Sequence, residues 1–110
     1  MNKVCLITGG TSGIGLCTAE AMSKAGYVVY EISRREKGND TVKHFQGDIT
    51  DEKTLEPIID TIIRKEGHID VLINNAGFGI SGAVEFTDTQ DAIRQFDVNF
   101  FGMVRMNKLI

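Results

Sequence analysis

Eight residues near the start of this 110-residue chain, Thr8-Gly9-Gly10-Thr11-Ser12-Gly13-Ile14-Gly15, have the types and spacing to hold an anion. Small residues let the backbone approach a phosphate closely, and glycine adopts the dihedrals that such a turn demands. Between a strand and a helix, the turn also aims the N–H groups of the helix start at the bound anion. The candidate contacts are Gly9, Thr11, Ser12, Gly13, Ile14 and Gly15. Two other glycine loops fail on these letters. A Walker A loop needs Lys after the last glycine, and Leu16 stands there. A strict G-x-G-x-x-G fingerprint needs a third glycine where Thr18 falls. What remains is T-G-x-x-x-G-x-G.

A second set of polar residues suits the far end of a nucleotide. A site for an unphosphorylated ribose carries Asp or Glu about 20 residues beyond the glycines, at the end of the second strand. Here that position is Ser33, followed by Arg34 and Arg35. Guanidinium forks match a 2′-phosphate that an acidic residue would repel. NADP is therefore the expected ligand, with NAD as the alternative if Glu31 served the ribose. Glu31 lies two residues too early and reads as part of the strand.

The elements that must position these residues follow from periodicity. Residues 3–8 form a near-continuous apolar run, as in a parallel strand buried on both faces. From Ile14, the positions Ile14, Cys17, Thr18, Ala21, Met22 and Ala25 fall on one helical face, and Gly26 ends it. Tyr27 to Ser33 and Val42 to Gln46 read as strands. Thr50 or Asp51 caps a helix bearing Leu55, Ile58, Ile59, Ile62 and Ile63, ended by Gly67, and Pro57 predicts a kink or a late start in it. Ile69 to Ile73 is a fourth strand, before a loop with Gly79 and Gly82. From a cap at Thr87, helical pattern runs through Ala92, Ile93 and Phe96 to Ile110. This order is the mononucleotide-binding half of an α/β, Rossmann-like, doubly wound parallel sheet, with expected strand order 3-2-1-4 and ligand at the carboxyl ends of the strands.

Composition narrows the partners. Twelve Lys and Arg against fifteen Asp and Glu, mixed along the chain, give a net charge of −3. That leaves no basic stripe for nucleic acid and no polybasic arm for a membrane. The apolar run before Thr8 is too short for a signal peptide, so a cytoplasmic location and a small-molecule ligand are expected. Cys5 and Cys17 read as small core residues with no metal spacing. His44 and His68 read as isolated polar residues of loops or strand ends.

The glycine spacing, together with Asn74-Asn75-Ala76-Gly77, resembles the short-chain dehydrogenase/reductase family, whose N-N-A-G motif those four residues match. The resemblance implies that Asn75, Ala76 and Gly77 line the cofactor and tie the central strands together. It implies that Asp48, with the backbone of Ile49, reads the adenine edge, and that Arg34 is the basic residue of NADP-using members. The reaction that the resemblance implies for the parent protein is hydride transfer between nicotinamide and an alcohol or carbonyl. Asn99 matches the residue that orders a proton relay, beside a Ser, a Tyr and a Lys four residues after the Tyr. Tyr27 is followed at that distance by Glu31, and Tyr30 by Arg34, so the pair is absent from these residues. The expectation is a single N-terminal cofactor-binding part, residues 1–110, of a longer oxidoreductase, inactive by itself. The alternative is a non-catalytic NADP-binding sensor. An apolar face with Phe100, Phe101, Met103, Met106 and Leu109 predicts a homo-oligomer.

Overall fold

The computed structural model describes residues 2–38, 40, 42–77, 85 and 87–110; the expected glycines Gly79 and Gly82 lie outside them. Its elements run β1 (Val4–Thr8), α1 (Gly13–Lys24), β2 (Val28–Ser33), β3 (Lys43–Gln46), α2 (Glu52–Glu66), β4 (Val71–Asn74) and α3 (Thr89–Phe96), then a π turn (Asp97–Phe101) and α4 (Gly102–Leu109). The strands form one sheet in the order β3-β2-β1-β4, as the sequence predicts. All three pairings are parallel, and Thr8 stands beside Ile32 on one side and Asn74 on the other. The carboxyl ends of the strands, with the turns that leave them, therefore meet at one edge.

Every residue of β1 is buried, the signature of a central strand covered on both faces. Alternate side chains feed two cores because successive residues of a strand point to opposite faces. Val4 and Leu6 pack with Tyr30, Ile32, Leu55, Ile58, Ile62 and Met106, which puts α2 and α4 on that face. Cys5 and Ile7 pack with Ala19, Val29 and Val42, which puts α1 on the other. Burying side chains such as Leu55 and Ile62 completely stabilises the fold by about 1.5–3 kcal/mol each. Burial also pushes the Cys5 thiol up from its ordinary value.

Several local expectations are corrected. The buried stripe of α1 is Gly15 and Ala19, with Met22 partly covered, whereas Cys17 is exposed and Ile14 is 80% exposed. At its first turn α1 lies so close to Gly9 and Asn75 that only glycine fits at position 15, and with that face turned inward Ile14 and Cys17 point outward. Asp51 is the cap of α2, accepting from the Lys53 N–H, and the helix starts at Glu52 without waiting for Pro57. The donor that Pro57 lacks would have served Lys53, and both residues are exposed, so water reaches that carbonyl. Gly67 ends α2 as expected, at φ 88° with its N–H on the Ile63 carbonyl. The last helical region is capped by Asp88 rather than Thr87, and a π turn centred on Asn99 divides it. Met106 is wholly buried and Leu109 packs on the same core, so neither belongs to the exposed face.

Candidate cofactor-binding site

A cleft of about 840 Å³ opens at the carboxyl ends of the strands. Gly9, Ser12, Ile14 and Gly15 enter it from the turn after β1, Ser33 and Arg34 from the end of β2, Asp48 and Ile49 from beyond β3, and Asn75, Ala76 and Gly77 from beyond β4. Segments far apart in sequence thus converge on one space, and α3 with the π turn closes a side through Gln90, Ile93 and Val98.

The turn is held by the strands beside it. Gly9, at φ 71°, donates its N–H to the Ile32 carbonyl at 2.9 Å. The Thr8 hydroxyl accepts the N–H of Asn75 at 3.1 Å and that of Ala76 at 3.0 Å, and the Asn75 side-chain amide donates to the Gly9 carbonyl at 3.0 Å. A Cβ on Gly15 would lie 2.1 Å from the Gly9 oxygen and 2.3 Å from Asn75 Nδ2. The helix start, the turn and the N-N-A-G segment are therefore in backbone contact, and only glycine permits it. This is a cradle whose walls are peptide groups, the form that fits a dinucleotide pyrophosphate.

Asp48 and Ile49 are fixed from below and behind. The Asp48 carboxylate accepts the Thr50 N–H at 2.9 Å and the Thr50 hydroxyl at 2.7 Å, while its own N–H donates to Thr54 Oγ1 at 2.9 Å. Burial raises the Asp48 pKa, but those bonds and the charges of Arg34 and Arg105 outweigh it and hold the group below the ordinary carboxylate value. Arg105 of α4 donates to the Ile49 carbonyl at 2.9 Å and pairs with Asp97 at 2.5 Å. Gly102 lets α4 sit against Ile49, since a Cβ there would meet Ile49 Cδ1 at 2.6 Å.

Four expected residues stand outside the cleft lining. Thr11 is buried in the turn, Gly13 sits at φ 55° with nothing near its missing side chain, and Arg35 is exposed beyond Arg34. Asn99 lies against Gly77, its Oδ1 2.8 Å from where a Cβ of that glycine would be, at the rim. Gly47, Gly102, Asp97 and Arg105 were not among the candidate site residues, and Thr8 was placed in the turn without the bracing role of its hydroxyl. Gly102 carried a signal, since an isolated glycine within a helical pattern marks close approach.

The histidines are not isolated. His68 contacts Asp70 Oδ2 at 2.9 Å and the Asn2 carbonyl at 3.1 Å, at the opposite end of the sheet. His44 is opposite Glu31 in the β2–β3 register and contacts its carboxylate. Glu31 is wholly buried and turned onto the Gly10 N–H at 3.0 Å, so it does not line the cleft where a ribose would sit. Among the described residues, no cluster of three metal-ligating side chains occurs, and no helix is long and apolar enough to cross a membrane.

A glycine-turn cleft across the ends of four parallel strands in this order defines a nucleotide-binding half-domain of the Rossmann kind. The family described as short chain dehydrogenase matches residues 3–110, and the chain belongs to that family. It is 39% identical over 109 residues to a 3-ketodihydrosphingosine reductase of Bacteroides thetaiotaomicron, covering 98% of this chain and 40% of the relative. The ligand-free aldohexose dehydrogenase of Thermoplasma acidophilum is similar over 98% of this chain and 42% of its own, at 33% identity and a TM-score of 0.93. The structure of ElxO with NADP bound is similar over 99% of this chain and 49% of its own, at 33% identity and a TM-score of 0.90. The chain thus spans about 40% of the length of the curated relative. The relatives and neighbours it matches are themselves named as reductases and dehydrogenases.

Proposed function

We propose that this chain is the cofactor-binding part of an NADP-dependent oxidoreductase that acts on a small alcohol or carbonyl compound. The observation that carries the reading is the convergence of the glycine turn, Ser33-Arg34, Asp48-Ile49 and Asn75-Ala76-Gly77 on one cleft. Peptide N–H groups of the turn would hold the pyrophosphate, and Asp48 with the Ile49 backbone would take the adenine. The Arg34 guanidinium at the mouth supports a 2′-phosphate, as does the withdrawal of Glu31 into the sheet. A structural neighbour solved with NADP is consistent with that choice. When bound, the dinucleotide supplies or accepts the hydride.

In this reading Asn99 orders the proton relay, while the Tyr and Lys that complete it are absent from these 110 residues. The chain alone binds cofactor and does not turn it over. Side-by-side calorimetric titration with NADP(H) and NAD(H), followed by an assay for nicotinamide oxidation with a carbonyl panel, tests both halves. Tighter NADP(H) binding without turnover supports the proposal; binding to neither, or turnover by these residues alone, contradicts it. A sensor that binds NADP without chemistry predicts the same titration and parts from this reading if the longer protein carries no Tyr-x-x-x-Lys.

A further inference from the structure

A buried carboxylate in the middle of a strand is costly unless it is paired and hydrogen-bonded. Glu31 is such a group, 0% exposed on β2. Its Oε2 accepts the Gly10 N–H at 3.0 Å, and its Oε1 accepts the Ser33 hydroxyl at 3.1 Å and contacts Nδ1 of His44. The other nitrogen of the same ring, Nε2, meets the Arg35 carbonyl at 2.7 Å. Gly10 packs directly on Glu31, with a Cβ there falling 3.0 Å from Glu31 Cβ. Gly38 folds the following loop over His44, where a Cβ would fall 2.3 Å from His44 Cβ. A continuous chain of contacts therefore runs from the glycine turn through Glu31 and His44 to the loop that carries Arg34 and Arg35.

We propose that Glu31 and His44 are positioning residues, an internal strap that sets the glycine turn and the arginine loop as one unit and so governs discrimination for a 2′-phosphorylated dinucleotide. The inference rests on the NADP reading above. Both atoms that face the His44 ring nitrogens are acceptors, a carboxylate oxygen and a peptide oxygen, so the ring bridges them only by donating at Nε2 and sharing a proton with Glu31 at Nδ1. Whichever group formally holds that proton, the pair is neutral as a whole. That neutrality removes the cost of a lone buried charge on the strand, so the strap can hold the arginine loop without straining the sheet. Without the imidazole, the Arg35 carbonyl loses its partner, and the arginine loop is left held by the Gln46 side-chain amide, which donates to the Arg34 carbonyl at 3.2 Å.

The test measures NADP(H) and NAD(H) affinity by calorimetry for the unaltered chain, His44→Gln, Arg34→Ala and their combination, with cofactor-free hydrogen exchange at the Gly10 amide. His44→Gln should weaken NADP(H) about tenfold, the scale of one charge-assisted hydrogen bond, while NAD(H) changes less than about threefold. The Gly10 amide should exchange about tenfold faster once its acceptor is released. In the Arg34→Ala background the His44 substitution should add little, since both act through the same contact. If His44→Gln fails to fold, Glu31→Gln with His44→Gln removes the buried charge along with the ring and should show the same loss of discrimination. A folded variant that keeps the NADP(H)/NAD(H) ratio, or losses at Arg34 and His44 that multiply independently, would overturn the strap alone. An unaltered chain that binds neither dinucleotide overturns the cofactor reading itself, and that appears in the first titration before any variant is made.

Discussion

Replacing Gly15 with Ala tests the close contact at the centre of the site. The added methyl would lie 2.1 Å from the Gly9 carbonyl oxygen and 2.3 Å from Asn75 Nδ2. The first neighbour is backbone, fixed by the Gly9 N–H bond to Ile32, and cannot yield cheaply. The second can swing away only by giving up its 3.0 Å bond to Gly9. Overpacking costs about 1–3 kcal/mol and the lost bond about 1 kcal/mol. Better helix propensity returns up to about 1 kcal/mol, leaving a net loss of about 1–3 kcal/mol. Gly102→Ala is the internal control, because it also lies in a helix but meets first Cδ1 of Ile49, the end of a side chain that can turn. Its net loss should stay below about 1 kcal/mol, propensity again offsetting part of the clash. Urea unfolding followed by circular dichroism reads both values, and calorimetry reads the cofactor affinity that Gly15→Ala should also lower. Equal stability of the two variants, with cofactor binding intact in both, would refute the claim that the turn, α1 and Asn75 form one rigid cradle.

Further outcomes follow from individual groups. The Asp48 carboxyl is held below its ordinary value of 3.8, so its contribution to stability is present above that value and lost as pH falls through the lower folded pKa; Asp48→Asn should flatten that acid limb in pH-dependent urea unfolding. Tyr30 is pushed up to about 12 by burial, the hydrogen bond to Glu66 and that carboxylate's charge, so its contribution is complete below 10 and falls as pH rises towards 12; Tyr30→Phe should reduce that alkaline loss in the same measurement. Met106 is wholly buried and Met103 is 37% exposed, so Met106→Ala should cost about 2–5 kcal/mol and Met103→Ala markedly less in parallel unfolding curves. Phe96, Phe100 and Phe101 are 62, 49 and 49% exposed along the last helical region; such a face should make the chain self-associate, and light scattering that finds a stable monomer at high concentration would contradict this.

Much of the architecture was readable in advance because it rests on short-range rules. The buried run Val4 to Ile7, the stop at Gly67 and the helices before β2 and β4 pointed to a parallel half-fold whose expected order, 3-2-1-4, is the one found. What the sequence misled on was orientation. Ile14 and Cys17 share a periodic apolar pattern yet face outward, because close packing of α1 on the turn selects the small Gly15 and Ala19 instead. Of the residues the cleft gathers, Gly9 and Gly15 were visible as close-approach glycines and Arg34 as a charge at a strand end. The supports were not, because Glu31 with His44, and Asp97 with Arg105 and Ile49, are meetings of residues that only the folded sheet and helix create. A charged residue inside the apolar strand Val28 to Ser33 was the one visible sign of a partner on the next strand.

The most direct test of the central claim is to titrate the unaltered chain and Arg34→Ala with NADP(H) and NAD(H) under identical low-phosphate conditions. The unaltered chain should prefer NADP(H), and the substitution should weaken it by about 10- to 100-fold, as loss of charge-assisted hydrogen bonds to a 2′-phosphate implies, while leaving NAD(H) nearly unchanged. Equal losses for both dinucleotides, or no loss for either, would contradict the assignment of this cleft as an NADP site.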